Sequence, residues 1–466
     1  MRIRLFGQYL HMSMVVLAAF ETLLCFALLI AAGVVRLGTD FGEIDRLNGP
    51  LWPRAVLFSA TMFASLFGFG LYSTRQRARS VGIFVRVIAA VAAAIAVTTV
   101  AFYVIPDLWI GRGVLSLAAL SAAAAVMVLR LGFSRFIDDT PLKRRILVYG
   151  TGRSAASVAG LRRRSDKRGF VLTGFVQPDG ESLHVPEERV LREAGELLSL
   201  CKSLDIDEVV VAMDDRRRSF PIRELLECRL AGIDVTELLT FLERETGRVR
   251  VDVLNPSWLI FGEGFRRGSV RLFTSGAIDV VASLIILIIS LPVVLTAAIA
   301  IKLEEGWRAP VFYAQQRVGL GGEVFKLLKF RSMRIDAEAK GGAQWAQKND
   351  PRVTRVGAVI RKLRVDELPQ ILNVLRGDMC FVGPRPERPE FVAELAEKVP
   401  YYVQRHCVKP GITGWAQLCY PYGSSERDAL AKLEYDLYYI KNNTLLFDLS
   451  ILVQTAEVVF LGKGAR

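Results

Sequence analysis

The chain has 466 residues and a formal net charge of +13, from 60 Lys and Arg against 47 Asp and Glu. At about 150 residues per domain this length predicts about three domains and excludes a small disulfide-stapled scaffold. Hydrophobic residues make up 52% and charged residues 23%, so apolar and charged residues must lie in separate blocks, as in a membrane protein that carries soluble parts.

Residues 1–140 contain apolar blocks at 12–35, 55–72, 87–104 and 114–129, each close to the ~20 residues a spanning helix needs. Arg2 and Arg4 precede the first block; Arg75, Arg77, Arg79 and Arg86 fill the second loop; Arg130, Arg135, Lys143, Arg144 and Arg145 follow the fourth. The first loop balances Arg36, Arg46 and Arg54 with Asp40, Glu43 and Asp45. The positive-inside rule then places both ends of a four-helix transmembrane bundle in the cytoplasm. Glu21, inside the first block, reads as a glutamate satisfied within the bundle.

Residues 141–250 alternate between strand-like and helix-like stretches: RRILVYG, GTGRSAASVAGL, FVLTGFV, VLREAGELLSLCKSL and DEVVVAM. This pattern predicts a Rossmann-like α/β domain with a parallel sheet. Gly150, Gly152 and Ala155 form G-x-G-x-x-A between strand and helix, a candidate nucleotide-binding turn. No acidic residue follows at the expected strand end, which leaves a scaffolding or regulatory role open beside nucleotide binding. Residues 251–274, Gly- and Arg-rich, read as a linker.

Residues 280–301 are long enough to span and free of charge, yet basic clusters flank both sides: Arg266, Arg267 and Arg271 before, Lys302, Arg308, Lys326, Lys329 and Arg331 after. A crossing would expose one cluster outside. Pro292 removes a backbone donor near the middle, so a re-entrant helix over about 279–302 is expected, bent near Ser290 and Pro292.

Residues 275–466 carry the chemistry. The six cysteines show no C-x-x-C spacing and there are three histidines, so any metal must rest on carboxylates and be a hard ion such as Mg²⁺. Asp366 and Glu367 precede Leu368, Pro369 and an apolar run. Asp366 is expected at or near a helix N-cap, where the dipole favours the ionised carboxylate. Such a group can ligate metal, act as a base or take a phosphoryl group as nucleophile. Arg385 and Arg388 lie on a chain stiffened by Pro384, Pro386 and Pro389, suited to forked recognition of phosphate. Lys329, Arg331, Arg361 and Arg405 add positive charge. Nucleic acid is disfavoured, because the basic residues sit in turns between apolar runs and no nucleic-acid module is visible.

The stretches PVFYAQQRVGLGGEVFKLLKFRSM, DELPQILNVLRGDM, FVGPRPERPEF, VKPGITGWAQ and YDLYYIKN resemble the catalytic domain of the bacterial sugar transferases, the monotopic phosphoglycosyl transferases also called polyprenyl glycosylphosphotransferases. The closing LVQTAEVVFLGKGAR is similar to the subgroup found beside exopolysaccharide and PEP-CTERM sorting systems. The resemblance implies an α-rich monotopic catalytic domain on a multi-pass protein of the bacterial inner membrane, with that domain in the cytoplasm. It implies transfer of a sugar 1-phosphate from a UDP-sugar to polyprenyl (undecaprenyl) phosphate, with Mg²⁺ and release of UMP, as the initiating step of exopolysaccharide synthesis.

Carried over residue by residue, Asp366 is the nucleophile of a phosphosugar-aspartyl intermediate and Glu367 assists with metal or acceptor. Arg385, Arg361 and Lys329 contact phosphates. Departures are Ser290-Leu291-Pro292 where Ser and Pro are commonly adjacent, Arg364 where a small hydroxyl residue is common, and Gln316 where Glu is common. Membrane lipid is a partner on this reading, and self-association into a homo-oligomer is left open. The rival is a membrane-anchored nucleotide-sensing regulator with an inactive transferase-like region, which the intact DEL and PRP motifs disfavour. A transporter is disfavoured by the near absence of charge in the first four blocks.

Overall fold

A computed structural model of the full chain describes all residues except 1, 6–7, 39–48, 73–79, 137–142, 162–165, 167–168, 192–195, 216, 218–219, 255, 262–263, 266–268, 335–349, 421–422, 424 and 461–466. Asp40, Glu43, Asp45, Arg46, Arg75, Arg77, Arg79, Arg266, Arg267 and the terminal LGKGAR therefore lie outside the described residues. The chain divides into two compact units, Met1–Val253 and Leu254–Arg466.

In the first unit a hairpin of β1 (Arg2–Leu5) and β2 (Gln8–His11) leads into helices α1 (Met12–Leu37), α2 (Leu51–Gly68), α3 (Ser80–Val104) and α4 (Arg112–Phe136). All four contain stretches long and apolar enough to cross a membrane. They pack as a ring, α1 on α2 and α4, α3 on α2 and α4, around a core that includes Leu29, Phe58, Met62, Val87 and Val126. Glu21 is fully buried in this core, where it accepts from Tyr72 Oη at 2.6 Å and forms an ion pair with Arg130 at 2.7 Å. One carboxylate oxygen is thus satisfied within the helices, as expected, while the other, Oε1, is buried without a hydrogen-bond partner.

The same unit continues as a parallel sheet of β3 (Arg144–Tyr149), β4 (Phe170–Val176), β5 (Val190–Leu191), β6 (Glu208–Val211) and β7 (Asp234–Glu237), in the order β5-β4-β3-β6-β7. The order reverses between β3 and β6, as in doubly wound sheets. Period-2 alternation sends Ile146 and Val148 to one face, against α5 (Arg153–Ala159) and α8 (Leu238–Thr246). It sends Leu147 to the other, against α6 (Leu197–Ser203) and α7 (Ile222–Leu230). The stretch VLREAGELLSLCKSL is not one helix: its first two residues pair with β4 as β5, and α6 starts at Leu197.

The second unit begins with α9 (Pro256–Phe261), so the expected linker is in part helical. The apolar block lies within α10 (Ser269–Glu305), a 37-residue helix that starts ten residues earlier than its apolar run suggested and continues through Pro292. Ser290 is buried and its Oγ donates to the Leu287 carbonyl at 3.4 Å. The helix passes Pro292 without ending.

Candidate active site

The site is assembled around the hairpin of β8 (Phe312–Val318) and β9 (Val324–Phe330), in which Lys329 pairs across from Tyr313. Gly321 and Gly322, at φ 67° and 88°, supply the left-handed residues of its turn. Beyond it, α11 (Arg355–Lys362) carries Arg361. Its start is fixed twice: Thr354 Oγ1 accepts from the Gly357 N–H at 2.9 Å, and the Glu304 carboxylate at the end of α10 accepts from Arg355 and Val356 N–H at 2.8 and 2.9 Å. A Cβ on Gly357 would lie 2.1 Å from the Ser332 carbonyl oxygen, so only glycine lets α11 close on the segment after β9.

The chain then turns through Arg364 in the left-handed region, φ 59°, into a 3-10 stretch, Val365–Gln370, followed by α12 (Ile371–Arg376). Asp366 and Glu367 occupy the first turn of the 3-10 stretch; Arg364, not Asp366, is at its N-cap, and no side chain caps it. β9 and α10 both pack on this stretch. Asn373, fully buried on α12, anchors it to β9: Nδ2 donates to the Lys326 carbonyl at 2.8 Å and Oδ1 accepts from the Leu328 N–H at 3.0 Å.

The two carboxylates have opposite electrostatics. Burial alone would raise Glu367, but Arg385, Lys329 and Arg364 outweigh it and hold its pKa down to about 2. Arg385 donates to Glu367 Oε1 at 2.9 Å, and Arg364 lies 3.6 Å from the same oxygen. Asp366 is raised instead, first by burial and then by the charge of Glu367. Its Oδ1 is buried without a hydrogen-bond partner. The expected stabilisation of an ionised Asp366 by a helix start is therefore corrected: desolvation and a like neighbour prevail over a short 3-10 turn. Lys329 is pushed down to about 8, by burial first and by Arg385 next.

Arg385 is aimed by its loop. β10 (Cys380–Val382) and β11 (Gly411–Thr413) run parallel, and Cβ atoms on Gly383, Gly411 and Gly414 would meet the facing backbone at 2.6, 2.1 and 2.2 Å. Arg317 donates to the Pro386 carbonyl at 3.0 Å. Arg405, expected to hold phosphate, is 6% exposed and its guanidinium is used internally. It donates to Tyr402 Oη at 2.7 Å and to the Arg385 carbonyl at 2.9 Å, and pairs with Asp436 at 2.9 Å. The sequence motif placed a cation there, but buried partners claim it. Asp436, on α15 (Glu426–Asn442), is itself raised to about 6 by burial, against the pull of Arg405.

Arg331 donates to the Pro310 carbonyl at 3.0 Å and lies over the Tyr313 ring, and Arg388 stands at the N-cap of α13 (Pro389–Lys398). The structure thus gathers Asp366, Glu367, Lys329 and Arg385 directly, with Arg361 acting on Asp366 through its charge. After α14 (Trp415–Cys419), α16 (Leu445–Phe460) packs on β10, β11 and α14, burying Phe447 and Ile451, while Leu445 and Leu449 stay exposed.

Among the described residues no three His, Cys, Asp or Glu side chains converge as a metal cluster. The unpartnered Asp366 oxygen beside Glu367 fits an ion that keeps water and substrate oxygens as its other ligands, which is how Mg²⁺ is usually held.

The model of the family described as "Bacterial sugar transferase" matches residues 270–462. A protein of Klebsiella pneumoniae named UDP-glucose:undecaprenyl-phosphate glucose-1-phosphate transferase is 32% identical over 72% of this chain and 71% of its own length. The chain belongs to the bacterial sugar transferase family. A Xanthomonas campestris protein of the same name is 29% identical over 99% of this chain and 96% of its own. The UDP-N-acetylgalactosamine-undecaprenyl-phosphate N-acetylgalactosaminephosphotransferase of Aeromonas hydrophila is 43% identical over 52% of this chain, and the match spans just over half, 56%, of that protein. Residues 21–137 also match a model described as "Heparan-alpha-glucosaminide N-acetyltransferase, catalytic". This bacterial sugar transferase is a membrane protein with an α-rich N-terminal region and a parallel-sheet domain. Its family match starts one residue into α10 and encloses the whole site.

Three contributors were given no role by the sequence reading. Asn373 and Asp436 lie inside the stretches DELPQILNVLRGDM and YDLYYIKN, but nothing local marks what they hold, and Glu304 lies in none of the quoted stretches.

Proposed function

We propose that this chain transfers a sugar 1-phosphate from a UDP-sugar to polyprenyl phosphate at the cytoplasmic face of the bacterial inner membrane, initiating exopolysaccharide synthesis. The observation that carries the reading is the division of labour between adjacent carboxylates, one locked by arginine and one with a free, desolvated oxygen.

Asp366 attacks the β-phosphorus of the donor, a carboxylate–phosphorus bond forms and the bond to the bridging oxygen breaks, so that UMP leaves with the electron pair. An oxygen of polyprenyl phosphate then attacks the same phosphorus and regenerates the Asp366 carboxylate. Arg385 holds Glu367 in place, and Lys329 and Arg361 bring positive charge to the dyad. Mg²⁺, held by Asp366 and Glu367, would neutralise charge on the donor phosphates. Two successive displacements let a soluble donor and a lipid acceptor use one site in turn.

The basic flanks of α10 favour return to the side of entry, so we read it as a re-entrant helix bent at Ser290 and Pro292, with the four N-terminal helices crossing fully. The regulator reading has no specific observation in its favour.

The test is incubation of the purified full chain with labelled UDP-sugars, undecaprenyl phosphate and Mg²⁺. Release of UMP with label in lipid, lost in Asp366→Asn, is expected. An unchanged rate in that variant would remove the mechanism.

A further inference from the structure

The turn from β3 into α5 has the glycine spacing of a phosphate cradle, but its donors are already occupied from within the chain. Asp214, three residues past β6, accepts from the Arg153 and Ser154 N–H groups, each at 2.8 Å, through its two oxygens. Glu181 accepts from the Thr151 N–H at 2.7 Å and, with its other oxygen, from the Asp214 N–H at 2.8 Å. The N–H groups of Thr151, Arg153 and Ser154, which line the turn and the helix start, are therefore bonded to two carboxylates. Burial works against the charge on Asp214, but the hydrogen bonds from Ser154 and Arg153 keep its carboxyl below the usual range.

The glycines have a second explanation. A Cβ on Gly152 would lie 2.2 Å from Asp214 Oδ2, and one on Gly150, at φ 136°, would lie 2.5 Å from the Ala212 carbonyl oxygen. Both positions admit only glycine because the segment after β6 comes so close, with no ligand needed to account for them. An incoming phosphate would have to displace Asp214 and then sit beside two carboxylates. The helix behind the turn has seven residues, Arg153–Ala159, and so offers a weaker field than a long crossover helix.

We infer that Asp214 and Glu181 are a built-in anion that fills the phosphate seat of the parallel-sheet domain, and that this domain is closed to dinucleotides. The inference does not depend on the transferase reading, since it concerns a different unit of the chain. It also makes a positive demand: removing the internal charge should turn the turn into an anion site.

Calorimetric titration of the full chain in detergent with NAD⁺ tests it, comparing wild type with Asp214→Ala and with Asp214→Asn, which keeps an acceptor for the helix N–H groups if the alanine variant does not fold. No saturable uptake by wild type at millimolar NAD⁺ is expected, with a gain of about tenfold or more in affinity in the variant, the scale of one relieved charge contact. One-to-one binding of NAD⁺ by wild type would overturn the inference. So would a variant that folds and binds no better than wild type.

Discussion

Arg385 and Glu367 are joined at 2.9 Å, and this pair separates the roles of two adjacent acids. With Glu367 committed to a guanidinium, Asp366 is the carboxyl left with a buried, unpartnered oxygen. Asp366→Asn should lower turnover by on the order of 10³-fold or more, while Glu367→Gln, which keeps an acceptor for Arg385, should cost about 10²-fold. Steady-state rates of UMP release distinguish the two.

Asp436 acts at one remove, holding Arg405, which in turn holds the carbonyl of Arg385. Asp436→Asn should lower kcat by about 10- to 100-fold through a small misplacement of Arg385, with KM for the donor changed much less. A variant that only loses stability would instead lose active enzyme, with kcat restored when rates are corrected by active-site titration.

Lys329 carries its positive charge below pH about 8 and loses it above. On the proposed mechanism the charged form is the one that meets donor phosphate, so donor KM should rise as pH passes upward through about 8. In Lys329→Arg the cation persists, so that alkaline limb should disappear from the pH profile.

Asn373→Ala removes the partners of the Lys326 carbonyl and the Leu328 N–H together. Each buried group left unpaired costs about 1–3 kcal/mol. A lower Tm by thermal unfolding in detergent, accompanied by reduced activity, is the expected outcome.

Much of the framework was legible because it rests on local pattern. The apolar blocks of α1 to α4 and the strands β3, β4 and β6 follow from hydrophobic runs bounded by charge and glycine. Asp366, Glu367, Lys329 and Arg385 were found through motifs and are brought together. What failed depended on contacts far apart in sequence. Arg405 reads as a phosphate ligand until Asp436 and the Arg385 carbonyl are seen to occupy it. Asp366 looks like a stabilised helix cap until Arg364 takes the left-handed position and burial reverses the sign of the effect. The glycine motif at Gly150 and Gly152 leaves nucleotide binding and scaffolding open in sequence, because Asp214, which bonds the Arg153 and Ser154 N–H groups, lies about sixty positions on. Burial and charge partners of this kind are set by tertiary packing, which periodicity does not encode.

The central claim, that Asp366 becomes covalently loaded, is tested most directly by intact-mass measurement of the full chain incubated with donor and Mg²⁺ but without lipid acceptor. A mass increase equal to one sugar phosphate, absent in Asp366→Asn and discharged when undecaprenyl phosphate is added, is predicted. An adduct that persists in Asp366→Asn, or turnover in wild type with no adduct at any time, would contradict it.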